Sequence, residues 1–376
     1  MKFICTQENL HQGLSVASHI NTKNISLPIL NNVLLKVENN TLKLISTNLE
    51  IAIITKIRGK SDEDGEYTVP AKLLADYVSL LPKENINILL KDDFLHIDCV
   101  NHSTKIKGIY SADFPLVPEM EKKTTFYVDG LLFKKALSQV AFTVLPNESR
   151  PEISGIYMSF NSLEDGTVTL VATDSFRLAE KKIKMEPKSS KDSMSIIVPL
   201  RSVWELANIL STISGNNDNN VLEISLDEGQ IFFGYNGTEL TSRLVEGIFP
   251  DYIQIVPKEF NTRAFLPVAE LLSGTKSASL FSRSGLNDVK LNLIASEKII
   301  EVYSTDNQTG EQKTRISGEV QGASNKIVLN HKYLVDGLSN IGAGEITMDV
   351  IDENNPCVLR PNGDNSYLYI VMPIKQ

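Results

Sequence analysis

The sequence predicts an α+β protein made of three copies of one domain, and three repeated features carry that prediction. An alternating strand that ends in a Thr-Asp or Thr-Asn turn recurs at Leu44-Ile45-Ser46-Thr47-Asn48, Leu170-Val171-Ala172-Thr173-Asp174 and Val302-Tyr303-Ser304-Thr305-Asp306. The copies lie about 130 residues apart, a spacing that marks an internal repeat. Further on, each copy continues into a short strand and a helix, at Thr68-Val69-Pro70-Ala71, Ile197-Val198-Pro199-Leu200 and Val328-Leu329-Asn330-His331. Each then returns to alternation, at Ile86-Asn87-Ile88, Leu222-Glu223-Ile224 and Ile346-Thr347-Met348. The first two copies close on matching signatures, Asp113-Phe114-Pro115 and Phe249-Pro250-Asp251-Tyr252.

The start of each unit is marked by Phe3, Phe126 or Phe265, seven residues ahead of the apolar helix position Leu10, Phe133 or Leu272. A chain of 376 residues therefore divides at 1–124, 125–260 and 261–376. Units of about 125 residues are large enough to bury cores of their own. Helical periodicity is expected at 8–20, 71–82, 131–144, 200–213, 266–281 and 331–342, with alternation elsewhere. Two helices per unit, with this much strand, must pack on antiparallel sheet and cover one face of it.

The second helix of each unit carries the clearest functional signal. Counted from Pro70, Pro199 and Asn330, its apolar residues form one stripe. Leu73, Leu74, Tyr77, Val78 and Leu81 fill the stripe in the first unit; Val203, Leu206, Ala207 and Leu210 in the second; Tyr333, Leu334, Leu338 and Ile341 in the third. That face is expected to be core. Two positions after the reference residue, about 170° around the helix, each unit places a cation: Lys72, Arg201 and Lys332. A cation in the first turn opposes the helix dipole by up to about 1 kcal/mol, so its threefold recurrence points to an anionic partner. Lys134, Lys135 and Lys276 on the first helices add to the pattern, while Glu205, Glu270 and Asp336 dilute it.

A formal net charge of −9 argues against an ordinary DNA-binding domain. The conflict disappears if acidic residues lie on an outer sheet surface and cations on an inner helical one. Two chains joined head to tail would give a closed ring of six units, and encirclement needs few phosphate contacts. Cys5, Cys99 and Cys357 lack metal or disulfide spacing and are expected to be buried. Met1-Lys2-Phe3-Ile4-Cys5 has no long apolar run, and no window reaches membrane-spanning length, so the chain is expected to be soluble and cytoplasmic. Phosphate-loop, dinucleotide, zinc-protease and nucleophile-elbow motifs are absent, which argues against an enzyme; no catalytic residue, metal or cofactor is expected. His11, His19, His96, His102 and His331 have no metal spacing. Thr173-Asp174 is better read as a structural turn, because Thr47-Asn48 and Thr305-Asp306 repeat it. The competing reading is a repeat scaffold that binds only proteins, without DNA encirclement.

Eight short motifs then stand in a familiar order: Leu27-Pro28-Ile29-Leu30-Asn31, Thr68-Val69-Pro70-Ala71, Ala112-Asp113-Phe114-Pro115, Arg150-Pro151-Glu152-Ile153-Ser154-Gly155, Val171-Ala172-Thr173-Asp174, Arg177-Leu178-Ala179, Phe249-Pro250-Asp251-Tyr252 and Val371-Met372-Pro373-Ile374. Over essentially its whole length the chain resembles the bacterial DNA polymerase III beta subunit family, the replicative sliding clamps. The resemblance implies three clamp domains per chain and a head-to-tail homodimer ring around duplex DNA, held without regard to sequence. It implies partners in the polymerase III alpha subunit, the clamp loader, and other polymerases and repair proteins with clamp-binding motifs, and none in a membrane.

By the same resemblance Lys72, Arg201, the Lys23-Asn24 turn and the loop from Asn147 to Arg150 face DNA; Lys332 joins them on the repeat argument alone. Pro151 and Glu152 stand where aromatic residues occur in relatives. A partner-peptide groove is implied at Ile153, Thr173, Ser175, Phe176, Arg177, Leu178, Pro250, Ile255, Leu286, Asn330, Tyr333, Pro356, Ile370, Met372, Pro373 and Ile374. Exposed aliphatic residues around a few polar groups suit leucine or phenylalanine anchors, with Arg177 as a wall and donor. Ser175-Phe176 replaces the family's Gly-His or Gly-Tyr, and Ile253-Gln254 stands where basic residues occur, so the same floor with a different peptide preference is expected. The dimer contact is implied at Leu74, Val78 and Ile106 on one side and Leu280 and Phe281 on the other.

Overall fold

Among the described residues, 1–20, 27–117, 121–146, 149–213, 220–283 and 285–375, the computed structural model places six α-helices and four sheets, with every strand pairing antiparallel. The helices are α1 (Gln7–Ala17), α2 (Ala71–Ser79), α3 (Gly130–Ala141), α4 (Leu200–Thr212), α5 (Val268–Ser279) and α6 (His331–Asn340). Each helix falls where the periodicity placed it, but the apolar stripe outlasts the helix. Ile20, Leu81, Val144, Ile213 and Ile341 are buried just past five helix ends, in turns that continue the packing after helical hydrogen bonding stops. Asn330, which breaks the Pro pattern of the other two copies, caps α6 by accepting the Lys332 N–H at 2.9 Å.

Contacts divide the chain into two compact units. The first comprises Met1–Lys134, Met185–Asp192 and Arg201–Val245. It holds a five-stranded sheet, in the order Lys60–Glu63, Lys2–Thr6, Asn85–Lys91, Phe94–Cys99 and His102–Lys107. Its eight-stranded sheet joins the first two repeats by pairing Ile51–Arg58 with Thr238–Arg243, Leu240 lying opposite Ile53. α1 lies against α2, where the Gln7 amide donates to the Val78 carbonyl at 2.8 Å. Phe3, Leu10, Leu14, Tyr67, Ile86 and Ile97 form the core below them.

The second unit comprises Lys135–Lys184, Ser193–Leu200 and Glu246–Gln376. Its nine-stranded sheet joins the second and third repeats by pairing Arg177–Lys184 with Tyr367–Val371, Leu178 lying opposite Ile370. A four-stranded sheet, Gly310–Ser317, Ile299–Asp306, Asp288–Ile294 and Asn325–Asn330, completes it. Cys5, Cys99 and Cys357 are buried and form no disulfide, and burial pushes the Cys5 thiol up to about 12, which leaves it unreactive.

Two expectations need correction. Leu73 lies outside the core stripe and is 54% exposed, because the α2 stripe is narrower than the periodicity suggested and rests on Leu74, Val78 and Leu81. Leu74, Val78 and Ile106 were expected at a dimer contact, but all three are buried in the first unit's own core. Apolar burial inside one chain and at a contact between chains look alike in sequence. Leu74→Ala should therefore cost about 2–5 kcal/mol in urea unfolding, whereas Leu280→Ala, at a residue 75% exposed, should cost less than about 0.5 kcal/mol. Equal costs would return Leu74 to the surface.

Candidate functional site

The turn from Thr173 to Arg177 is built by its own side chains. Thr173 Oγ1 donates to the Arg177 carbonyl at 2.7 Å and accepts the Ser175 N–H at 3.0 Å. Asp174 Oδ1 accepts the N–H groups of Phe176 and Arg177 at 2.9 and 3.0 Å. Ser175 sits at φ 78°, a left-handed conformation that this bonding holds in place. The result lifts Phe176 outward, 61% exposed, and turns Arg177 inward.

Arg177 is the hub. Its Nε meets Asp174 Oδ2 at 2.9 Å, its Nη1 meets Asp336 Oδ2 at 2.6 Å and its Nη2 donates to the Phe142 carbonyl at 3.1 Å. The guanidinium also lies over the Tyr333 ring, 4.5 Å from its centre, and 5.6 Å from that of Phe142. Burial disfavours its charge, but Asp336, Tyr369 and Asp174 outweigh that, so it is held above even the usual arginine range.

A closed circuit of contacts surrounds this hub. Arg177 pairs with Val371 in the sheet, and the Met372 N–H donates to the Phe176 carbonyl at 2.8 Å. The Ile374 N–H donates to the Val328 carbonyl at 2.8 Å, two residues before Asn330 starts α6, and Tyr333 on α6 returns to Arg177. Leu286 stands beside Asn287, whose carbonyl accepts the His331 N–H at 2.7 Å. Pro356 precedes Cys357, which pairs with Val371. Arg150 Nη1 bonds Ser175 Oγ at 2.9 Å, which ties the segment leading to Ile153 to the turn. The segment carrying Pro250 and Ile255 is docked by Tyr252, whose hydroxyl donates to Glu180 at 2.5 Å, and by Phe249 stacked on Tyr157.

All sixteen groove residues predicted from the sequence thus fall on elements joined to this circuit. They differ in exposure, from a buried floor to an exposed rim. Ile153, Thr173, Leu178 and Ile370 are buried and belong to the floor. Ser175, Phe176, Pro250, Ile255, Leu286 and Met372 are exposed, and Arg177, Asn330, Tyr333, Pro356, Pro373 and Ile374 are half-buried. The exposed residues lie in turns and loops, whereas Thr173, Leu178 and Ile370 lie on strands of the nine-stranded sheet. Sequence reasoning missed Asp336 and Phe142 as partners of Arg177. Asp336 had been read only as diluting the cations, and the one clue to its role is its place on the same helix as Tyr333.

The cations divide as well. Lys72 and Lys332 are exposed, as expected. Arg201 is half-buried instead, its Nη2 donating to the Ile20 carbonyl at 3.1 Å. Glu205 on the same helix is buried and meets His19 Nδ1 at 2.6 Å. Arg150 is exposed and bonded to Glu152 at 3.0 Å. Lys23, Asn24 and Asn147 lie outside the described residues. Leu280 is exposed and Phe281 half-buried. Among the described residues no cluster of histidine, cysteine, aspartate and glutamate could hold a metal, and no helix is long and apolar enough to cross a membrane.

Family models for the DNA polymerase III beta subunit match the chain in order: the N-terminal domain at residues 1–118, the central domain at 128–251 and the C-terminal domain at 253–375. The beta sliding clamp of Synechocystis is 26% identical, covering 100% of this chain and 99% of that protein. The crystal structure of the DNA polymerase III beta subunit of Thermotoga maritima is similar at a TM-score of 0.90 with 26% identity, covering 100% of this chain and 99% of that one. A sliding clamp of Pseudomonas aeruginosa bound to griselimycin is similar at a TM-score of 0.92 with 25% identity, covering all of both chains.

Proposed function

The chain belongs to the DNA polymerase III beta subunit family, and from that premise we infer that it is a DNA sliding clamp, the processivity factor that holds a replicative polymerase on duplex DNA. The observation that carries this reading is the succession of three family domains over nearly the whole chain. We draw the clamp domains at 1–124, 125–260 and 261–376, a division supported by the strands Thr124–Asp129 and Thr262–Pro267, which stand near the start of the later copies as Lys2–Thr6 does in the first. The protein acts by binding and has no catalytic residues; its place is the cytoplasm, where the DNA is.

Strand edges favour a head-to-tail homodimer. Within the chain, the strand after each Thr-Asn or Thr-Asp turn pairs with the last hairpin strand of the next repeat. The third copy's equivalent strand, Gly310–Ser317, and the first copy's equivalent hairpin strand, His102–Lys107, each end a sheet. Pairing them between two chains repeats the internal joint and closes a ring. Leu280 and Phe281 suit the third-domain side of that contact. On the first-domain side, exposed Leu73 and Leu80 replace the buried Leu74, Val78 and Ile106.

Lys72, Arg201 and Lys332 supply phosphate contacts, together with Arg150, Lys23, Asn24 and Asn147. The circuit around Arg177 takes apolar peptide anchors of the polymerase III alpha subunit, the clamp loader and repair proteins. The deciding experiment loads the protein with a clamp loader onto nicked circular plasmid, then cuts the plasmid once in high salt. Retention on the circle and release from the linear form are expected. Salt-sensitive binding indifferent to the cut would make the protein an ordinary electrostatic binder, and no binding with a competent loader would favour the protein-only scaffold. Replacing Lys72, Arg201 and Lys332 together with Glu should cut loading on the order of tenfold with the dimer intact. Unchanged loading would remove DNA contact as the reason for their alignment.

A further inference from the structure

The bonding of the Thr173 turn is repeated atom for atom in the first unit. Thr47 Oγ1 donates to the Ile51 carbonyl at 3.0 Å and accepts the Leu49 N–H at 3.0 Å, while Asn48 Oδ1 accepts the N–H groups of Glu50 and Ile51 at 3.0 and 2.8 Å. Leu49 sits at φ 77°, matching Ser175. The strand-end bond is repeated too: the Arg243 N–H donates to the Glu50 carbonyl at 3.0 Å, as that of Met372 does to Phe176. Phe114-Pro115 answers to Phe249-Pro250, and both phenylalanines are buried. In the third copy Asp306 Oδ1 likewise accepts the N–H groups two and three residues on, those of Gln308 and Thr309, but Asn307 is not left-handed and, among the described residues, Thr305 makes no matching side-chain bond.

The lining differs, however. Beside the Leu49 turn lies a cleft of about 390 Å³ walled by Leu49, Ile51, Pro115, Leu116, Val117 and Arg243. It shares Pro115, Leu116 and Val117 with a second cavity of about 500 Å³ that carries Lys36, Lys43, Lys56 and Lys122. Leu49 is 50% exposed and Leu116 is 96% exposed, while Arg243 forms no ion pair among the described residues. Carboxylates in the two linings are fewer: Glu50, Glu66 and Glu239. Glu239 holds Lys56 at 2.6 Å, Glu223 holds Lys122 at 2.7 Å, and Glu38 holds both Lys43 and Lys36. Such surface pairs contribute about 0–1 kcal/mol each, so a carboxylate brought by a ligand can exchange into them. An apolar cleft edged by five cations, on a chain of net charge −9, is complementary to an acidic ligand.

We propose that this cleft is a second peptide site, one that takes an acidic segment of a partner protein, with an aliphatic side chain against Leu49 and Leu116 and carboxylates toward Arg243 and the lysines. The proposal rests on the reading of the Thr173 turn as a peptide groove, because the shared bonding is what makes the two sites comparable. It gives one chain two sites of different preference, apolar at Met372 and acidic at Arg243.

The test uses two fluorescein-labelled hexapeptides, each with two central leucines, flanked by glutamates in one and by glutamines in the other. Anisotropy titrations compare the full-length protein with a Met372→Glu variant, which spoils the Thr173 groove, and a Leu49→Asn, Arg243→Glu variant, in which Asn tolerates the left-handed backbone. The acidic peptide should bind the Met372→Glu protein within about twofold of wild type and the double variant at least about tenfold more weakly; the glutamine peptide should bind the Met372→Glu protein at least about tenfold more weakly than the acidic one. Loss of acidic-peptide binding on Met372→Glu would overturn the proposal, as would equal binding of both peptides. So would a change of oligomeric state in the double variant, which would assign the cleft to a second copy of the chain. A clamp-binding peptide from the polymerase, titrated in parallel, reports on the Thr173 groove alone, so failure there is distinguishable from failure here.

Discussion

Arg177→Ala is expected to abolish binding of clamp-binding peptides and to lower stability by about 3 kcal/mol, the largest loss from any single side chain of the groove. Truncation leaves Asp174 buried, its carboxylate 4% exposed, with Oδ2 stripped of its guanidinium partner and Oδ1 still bonded to two N–H groups. The arm to Asp336 matters less, because that carboxylate is 46% exposed and can turn to water. Tyr333 loses the cation over its face, and with it the contact that closes the circuit between the turn and α6. Arg177→Lys should recover the charge but not the fork that reaches Asp174, Asp336 and Phe142 together, so its stability should lie between wild type and the Ala variant. Urea unfolding and peptide anisotropy give the two readouts. Wild-type peptide affinity in a folded Arg177→Ala protein would remove the guanidinium from the groove.

Gly337→Ala attacks the same region from behind. A Cβ at Gly337 would stand 2.1 Å from Cε1 of Tyr369 and 2.5 Å from its Cδ1, far inside contact distance. The ring cannot retreat, because it is fully buried, its hydroxyl donates to the Tyr333 carbonyl at 2.8 Å, and Phe142 lies 5.5 Å away on centres. α6 must instead lift off the sheet. A loss of about 3 kcal/mol or more is expected, above the usual gain of about 1 kcal/mol for replacing helical glycine with alanine. Tyr369→Leu in the same chain should restore part of it, which separates a steric cause from a change in helix propensity. A Gly337→Ala protein as stable as wild type would mean that the close approach of helix to ring is not maintained in solution.

Repetition made the fold legible in the sequence. Three copies of each signal gave three chances to place a helix, so all six were found, and Asn330 stood out as a departure that the structure explains by capping. Burial within the stripe was less legible. Leu73 and Leu74 are adjacent and chemically identical, yet one is exposed and the other belongs to the core, because their assignment depends on how α1 lies against α2. The groove's residues were reached through resemblance, and their places in the fold, on buried strands or in exposed turns, then divide them into floor and rim. Nothing in the sequence paired Arg177 with Asp336, which is 159 residues away, because that ion pair exists only once α6 is seated. Arg201 was hidden for the same reason, its carbonyl partner Ile20 coming from the first repeat.

The way successive repeats are joined has a mechanical consequence. Each internal joint is a ladder of main-chain hydrogen bonds between Ile51–Arg58 and Thr238–Arg243 or between Arg177–Lys184 and Tyr367–Val371, not a tether of free chain. Bending such a ladder open breaks several hydrogen bonds together. Repeats within one chain are also linked by the chain that runs from one to the next, whereas a seam between two chains is held by non-covalent contacts alone, so an opening load is expected to part the seam first.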